Sequence, residues 1–167
     1  LYIDKDGLHP DPTKASALVS LLAPRNLKEL RSFYGLASYF RRFIHNFADL
    51  TFPLSQLLKS SDRVFVWGVE QQDSFDQLKT ILSSAPLLKL PTEEGTFVLS
   101  TDASSFALGA CLEQFQNDVL VPICYFSRVL QAAEKNYTAY EKEALAVISA
   151  VKQFRKYLLP RHFMIFT

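Results

Sequence analysis

Apolar residues follow two different periods along this chain. Over residues 13–60 they recur every three or four positions, as at Leu30 and Phe33, which predicts a mainly helical segment. From Thr96 onward apolar and polar residues alternate, which predicts a meander of three antiparallel strands. These strands are expected at about 96–102, 107–115 and 119–127. The change of period predicts a domain boundary near residue 92.

Local signals mark where two of the helices begin. Asp11 can cap a helix whose first residue is Pro12. Asn26 with Glu29 three residues later has the form of a capping box, and Pro24 separates the two helices.

A longer helix and a fourth strand are predicted after the meander. The helix should begin at Asn136 or Thr138 and run to about Leu158, where Pro160 ends it. The apolar residues expected on its core face are Ala144, Val147, Val151 and Leu158. Residues 162–167 then predict a strand. The predicted fold class is α+β: a small helical bundle over 1–60, a connector over 61–92 and a mixed α/β domain over 93–167.

Composition fits a globular protein and excludes several other classes. The 167 residues are 49% hydrophobic with a net charge of +1, so the chain has enough apolar residues for a core and is not a polyelectrolyte. Two cysteines cannot form a disulfide framework, and we found no secretory leader or membrane span, which favours a reducing compartment. Positive charge is concentrated early, with five cations against Glu29 between Arg25 and Arg42.

Two carboxylates are candidate metal ligands. Asp102 ends a strand of apolar and small residues, where it is either a solvated turn residue or a ligand. Glu143 and Glu141 both lie near the start of the long helix. At 100° per residue, Glu143 falls about 60° to one side of the predicted core face and Glu141 about 100° to the other, so periodicity favours Glu143 only slightly. Clustered carboxylate oxygens suit Mg²⁺, and a magnesium-dependent nuclease needs such a cluster.

Basic and small residues are candidate contacts to nucleic acid. Two basic groups could contact phosphates or simply form solvated helix faces: the pair Arg41 and Arg42, and the patch of Lys152, Arg155 and Lys156. Gly109 within a strand indicates close approach of another backbone. Ser104 and Ser127 are further candidate contacts to phosphate or ribose.

The two cysteines are expected to be neighbours across the second hairpin. If Gln116 and Val119 flank a tight turn, Cys111 and Cys124 face each other. In a reducing compartment they would be two small buried residues rather than a disulfide.

The ordered motifs resemble those of reverse transcriptases from gypsy-type LTR retrotransposons over essentially the whole chain. In the helical part and the connector they are Leu30-Arg-Ser-Phe-Tyr-Gly-Leu36, Tyr39-Phe-Arg-Arg-Phe-Ile44, Phe65-Val-Trp67 and Ser84-Ala-Pro86. In the later part they are Thr101-Asp-Ala-Ser104, Leu108-Gly-Ala-Cys111, Tyr125-Phe-Ser-Arg128 and Tyr140-Glu-Lys-Glu-Ala-Leu-Ala146.

This resemblance implies a thumb, a connector and a ribonuclease H-like domain. It assigns Asp102 and Glu143 as catalytic metal ligands for two Mg²⁺ ions. It implies an RNA–DNA hybrid or primer–template as the partner, together with the remainder of a Pol polyprotein, and it implies that the backbone of the hybrid passes at Gly109. It further implies a polymerase palm upstream of Leu1 and a third carboxylate one residue past Thr167. We therefore expect the 167 residues alone to bind Mg²⁺ poorly or not at all and to be inactive.

The resemblance also implies a cellular location and leaves one alternative function. The parent protein is expected in the cytoplasm, within virus-like particles, or in the nucleus, with no membrane as partner. The alternative is a domesticated or decayed module that binds nucleic acid or protein without catalysis.

Overall fold

The chain folds into a helical region that packs on a four-stranded sheet. The computed structural model describes residues 1–59, 64–84, 87–159 and 161–167. The α-helices of this part are α1 Pro12–Ser20, α2 Leu27–Tyr39, α3 Phe47–Leu50, α4 Phe52–Lys59, α5 Val69–Ser83, α6 Ala139–Gln153 and α7 Arg155–Leu158. The strands are β1 Tyr2–Ile3, β2 Leu8–His9, β3 Phe97–Ala103, β4 Ala107–Gln116, β5 Val119–Val129 and β6 Phe163–Phe166. Short 3₁₀ turns occupy Arg41–Phe43 and Glu134–Asn136.

The first two helices begin where their capping residues predict. The Asp11 side chain accepts hydrogen bonds from the backbone N–H groups of Thr13 and Lys14, with Pro12 in the first turn. Asn26 Oδ1 accepts from Glu29 N at 2.9 Å, and Asn26 Nδ2 donates to Glu29 Oε1 at 2.9 Å. Both predicted helix starts are confirmed, because the signal is local to each cap.

The helical region has an apolar core that includes part of the predicted connector. Phe33 of α2 and Phe75 of α5 lie with ring centroids 4.7 Å apart. Helix α5 therefore packs on the helices before it, although its residues fall in the predicted connector. Predicted features at residues 60–63 and 85–86 lie outside the described residues. Other residues buried in this core are Leu18, Leu30, Phe40, Ile44, Leu54, Leu78 and Leu82.

The sheet has the strand order β5-β4-β3-β6. Strands β3, β4 and β5 form the predicted antiparallel meander, and β6 pairs parallel to β3. The predicted α+β fold class is confirmed. No helix in the described ranges is both long enough and apolar enough to cross a membrane.

A bulge in β5 changes which residues face each other across the second hairpin. Glu113 pairs with Pro122 but Leu112 pairs with Cys124, so Ile123 is an extra residue in the ladder. Cys111 consequently pairs with Tyr125, and the prediction that the two cysteines face each other is wrong. Both thiols are buried and not disulfide-bonded, and burial raises the pKa of each to about 12.

Helix α6 covers one face of the sheet with small side chains. Its buried residues are Ala146 and Ala150, and Phe154 and Leu158 continue the same line at four-residue spacing. Ala144 is exposed, so the predicted core face was rotated from the true one. The helix carries apolar residues on more than one side. Its close contact with the sheet is made by Ala146 and Ala150, whereas Val147 and Val151 are only partly buried. The predicted single helix is broken at Phe154, and Pro160, its expected end, lies outside the described residues.

An ion pair fixes the segment that leads from β5 into α6. Arg128 donates two hydrogen bonds to the Glu134 carboxylate, at 2.6 and 2.9 Å. Gln131 N donates a third at 2.7 Å. The hydrogen bonds from Arg128 in particular hold the pKa of Glu134 below its usual value.

We predict that this ion pair stabilises the fold in a pH-dependent way. Glu134→Gln should lower the free energy of unfolding by about 1 kcal/mol at pH 7, because the charge-assisted bonds weaken. Since the folded-state pKa is depressed, the wild-type advantage is full above the unfolded glutamate pKa of about 4.3 and is lost as the pH falls through the lower folded-state value. Urea unfolding of both proteins between pH 7 and pH 3 measures this difference.

Glu94→Gln is the matched control, since Glu94 lies on an exposed turn. It should leave the unfolding midpoint unchanged across the same range. A difference between wild type and Glu134→Gln that persists undiminished at pH 3 would contradict the assignment of the pH dependence to this pair.

Candidate active site

Asp102 lies at the exposed end of a central strand. It is the penultimate residue of β3 and pairs with Gly109 of β4. Its neighbour Thr101 is buried and donates a hydrogen bond to the backbone oxygen of Phe166 at 3.5 Å. The ends of β3 and β6 therefore lie side by side, as the parallel pairing of Ser100 with Phe166 requires.

The structure gives the two candidate glutamates different surroundings. The Glu141 carboxylate accepts from Thr138 N at 2.8 Å and from Thr138 Oγ1 at 2.9 Å, in a capping box at the start of α6. These hydrogen bonds lower the pKa of Glu141. Glu143 instead accepts from Thr167 Oγ1 at 3.1 Å. Glu143 is thus the glutamate that reaches toward the ends of β6 and β3.

Asp102 and Glu143 approach the same end of the sheet from different sides. Strand alternation places Asp102 on the face opposite Thr101 and Ala103. Ala103 packs with Ala146, so Glu143 comes from the α6 side. Across the described ranges, no three His, Cys, Asp or Glu side chains are grouped closely enough to hold a metal ion. The assignment of both carboxylates as metal ligands stays a prediction.

A third carboxylate, which sequence reasoning missed, lies near Asp102. Asp49 of α3 accepts a hydrogen bond from Ser104 Oγ at 2.6 Å. Partial burial raises the pKa of Asp49; the Ser104 hydrogen bond opposes this shift, and the charge of Asp102 adds to it. No local motif marks Asp49, because its proximity to Asp102 arises only when the helical region packs on the sheet.

The face of the sheet that carries Asp102 is covered by the segment around α3. Ala48 N donates to Ser127 Oγ at 2.9 Å, and Arg41 Nη2 donates to the Ser127 backbone oxygen at 2.5 Å. Asn46, which has a left-handed φ of 49°, lies directly over Gly109. A Cβ added to Gly109 would collide with Asn46 Oδ1 and lie 3.1 Å from its Cγ. This buried Oδ1 has no hydrogen-bond partner among the described residues.

Four predicted nucleic-acid contacts therefore already have protein partners. They are Arg41, Ser104, Gly109 and Ser127. The structural alternative accounts for each of them, since each contributes to packing between the helical region and the sheet. Their contact with nucleic acid stays a prediction.

Of the predicted basic residues, Arg41 and Arg42 line a cleft of about 460 Å³, to which Gln153 and Phe154 also contribute. Lys152 and Arg155 are exposed and flank Gln153 and Phe154 in sequence, but they are not among the residues that line the cleft. Lys152 follows Glu143 by nine residues, roughly 14 Å along the helix axis.

We predict that Gly109 is required for packing. Gly109→Ala should lower the free energy of unfolding by about 1–3 kcal/mol, because the new methyl group overlaps Asn46. Asn46→Gly removes the obstructing side chain and suits the left-handed backbone. In that background Gly109→Ala should cost less than half as much, measured by chemical denaturation. An equal cost in both backgrounds would refute the packing role.

The chain matches a protein-family model over more than half of its length. Residues 67–165 match the RNase H-like domain found in reverse transcriptase. The chain is also similar to the retrovirus-related Pol polyprotein from transposon 297 of Drosophila melanogaster, with 44% identity. The match covers 98% of this chain and 15% of the polyprotein. The transposon Tf2-3 polyprotein of Schizosaccharomyces pombe is 35% identical to the chain. That match covers 94% of this chain and 12% of the polyprotein. The chain thus spans less than a fifth of these relatives.

Solved structures share the fold over nearly the whole chain. A foamy viral protease–reverse transcriptase in complex with an RNA/DNA hybrid matches with a TM-score of 0.78 and 23% identity, covering 98% of this chain and 22% of that one. A second foamy viral structure, in complex with double-stranded DNA, matches with a TM-score of 0.76 and 23% identity, covering 95% and 28%.

Proposed function

The chain belongs to the family of RNase H-like domains found in reverse transcriptases, as the RNase H-like region of a retrotransposon Pol polyprotein, and from this premise we propose that it serves cleavage of RNA in RNA–DNA hybrids. The parent protein would also polymerise DNA. The observation that carries the proposal is the approach of Asp102 and Glu143 to one end of the sheet. Neither the family match nor the similar polyproteins favour the non-catalytic alternative.

The carboxylates offer the right donor atoms for the metal ions. The family resemblance implies that divalent metal ions are used at this site. Asp102 is exposed and Glu143 is partly exposed, so their hard oxygens are accessible to Mg²⁺. Asp102 and Glu143 would hold the ions, which when bound supply an activated water and stabilise the leaving oxygen.

The protein residues would position this chemistry. Pairing with β4 and β6 on either side keeps β3, and with it Asp102, at a defined place. The single hydrogen bond from the Thr167 hydroxyl is easily exchanged, which leaves the Glu143 carboxylate free to turn toward an ion. The 167 residues would contribute Asp102 and Glu143 to the site.

The cleft lined by Arg41 and Arg42 is our candidate for contact with the nucleic-acid backbone. The structural neighbours hold an RNA/DNA hybrid or double-stranded DNA, which supports a duplex as the ligand here. Arg42 is exposed and lines the cleft, and the exposed Lys152 and Arg155 flank two of its lining residues in sequence. Contacts of this kind hold phosphates without reading sequence.

We predict that Mn²⁺, as a paramagnetic substitute for Mg²⁺, binds at Asp102. In NMR spectra of the 167-residue chain it should first broaden the amide signals of residues 101–103. Asp102→Asn should weaken this binding about tenfold or more, because a charged ligand is lost without a change of size. In the full-length polyprotein the same substitution should abolish metal-dependent cleavage of a hybrid.

Glu141→Gln is the control for this experiment. Glu141 is only two residues from Glu143 but caps the helix, so its substitution should leave the Mn²⁺ titration unchanged. Broadening that centres elsewhere, or that survives Asp102→Asn, would remove the site from the proposal.

We predict different effects for the two neighbouring arginines. Arg42→Ala should weaken binding of an RNA–DNA hybrid and make the dependence of log K on log salt shallower by about 1, without loss of thermal stability. Arg41→Ala removes the same charge but also the hydrogen bond to Ser127, so it should lower thermal stability. Fluorescence anisotropy at several salt concentrations, with thermal unfolding of each variant, makes the comparison. An unchanged salt slope for Arg42→Ala would exclude this arginine from the nucleic-acid surface.

A further inference from the structure

The turn after Asp102 is organised by one hydroxyl group. Ser104 Oγ accepts hydrogen bonds from Phe106 N at 3.2 Å and Ala107 N at 2.9 Å. Ser104 N also donates to the backbone oxygen of Ala107 at 2.9 Å. The orientation of Ser104 thus determines the path of the chain from β3 into β4.

Two side chains of the helical region hold this turn. Ser104 Oγ donates to Asp49 at 2.6 Å, a shorter contact than its alternative at 3.3 Å to the backbone oxygen of Ala107. Phe52 of α4 stacks on Phe106 with ring centroids 4.1 Å apart and planes inclined by 21°. One contact is polar and the other apolar, and both come from a stretch of four residues.

The support for Asp49 does not depend on the turn. The neighbouring Ala48 is hydrogen-bonded to the buried Ser127 on β5. Ser74 of α5 donates its hydroxyl proton to the backbone oxygen of Leu50. These contacts on either side of Asp49 fix α3 between the sheet and the rest of the helical region.

We propose that Asp49 is a positioning residue for the candidate active site. Its carboxylate holds Ser104, Ser104 holds the turn, and the turn keeps Asp102 in the orientation that a metal ion needs. The helical region is then part of the nuclease site although none of its residues is a metal ligand. The proposal rests on the proposed function, because it takes Asp102 as a ligand. It follows from the geometric tolerance of such sites, in which a displacement of about 1 Å costs about 100-fold in rate.

Three variants of the 167-residue chain separate the hydrogen bond from the charge. Asp49→Ala removes both, whereas Asp49→Asn keeps an oxygen that can accept from Ser104. Ser104→Ala removes the hydroxyl group from the other side of the contact. Amide hydrogen exchange at Phe106 and Ala107 reports on the turn, and exchange at Leu112 in the middle of β4 reports on global stability. A titration with Mn²⁺ alone reports on Asp102.

The proposal expects a specific pattern of results. Asp49→Ala should speed exchange at Phe106 and Ala107 about tenfold while leaving Leu112 unchanged. It should also weaken Mn²⁺ binding at Asp102 about tenfold, as should Ser104→Ala. Asp49→Asn should preserve slow exchange and weaken Mn²⁺ binding by no more than about threefold, the effect of losing one screened charge nearby.

Three outcomes would overturn it. Unchanged exchange in Asp49→Ala would show that Asp49 does not hold the turn. Faster exchange with unchanged Mn²⁺ binding would show that the turn does not position Asp102. Equal loss of Mn²⁺ binding in Asp49→Asn and Asp49→Ala would assign the effect to charge. If Mn²⁺ in the wild-type chain does not bind at Asp102 at all, the proposed function fails instead, and the exchange data still decide whether Asp49 holds the turn.

Discussion

Close packing of residues 46–49 on the sheet is the interaction on which the candidate site depends. It requires two small residues on adjacent strands, Gly109 without a side chain and Ser127 with a short one that accepts from Ala48 N. Larger residues there would keep α3 away from the strands. Because α3 lies so close, Asp49 accepts a hydrogen bond from Ser104. The charge of Asp102 then adds to the burial that raises the pKa of Asp49.

The two faces of the sheet are covered by similar means. On one face, Ala146 and Ala150 let α6 approach, and on the other Gly109 and Ser127 let α3 approach. The two central strands, β3 and β4, are therefore buried over most of their length. Asp102 lies where this double cover ends, which explains how a charged side chain can end a strand whose earlier residues are buried.

Features set by a few neighbouring residues could be predicted from the sequence. The caps at Asp11 and Asn26 and the alternation in the meander are of this kind. The choice of Glu143 over Glu141 rests on the family resemblance, since periodicity hardly separates them. The structure places Glu141 in the helix cap, and the metal role of Glu143 stays a prediction.

Features set by packing between distant segments could not be predicted. The extra residue Ile123 follows Pro122, which has no N–H to donate to the neighbouring strand. The alternation of apolar and polar residues does not indicate the resulting shift in the pairing register. Which face of α6 packs on the sheet depends on which small residues contact the strands, and these are Ala146 and Ala150. Asp49 sits in an unremarkable helical turn, and only the docking of that turn brings it to Ser104.

The contact of Asn46 with Gly109 also constrains how such a chain can be recombined. The two residues lie on opposite sides of the predicted boundary near residue 92, and they fit only because position 109 lacks a Cβ. A chimera that joins the helical region of one element to the sheet of another at the connector keeps this fit only where the incoming strand has glycine there, or where the incoming helical region has a smaller residue than asparagine. The connector separates the helical region from the sheet along the sequence, but in the folded protein the two regions pack through residues that must fit each other.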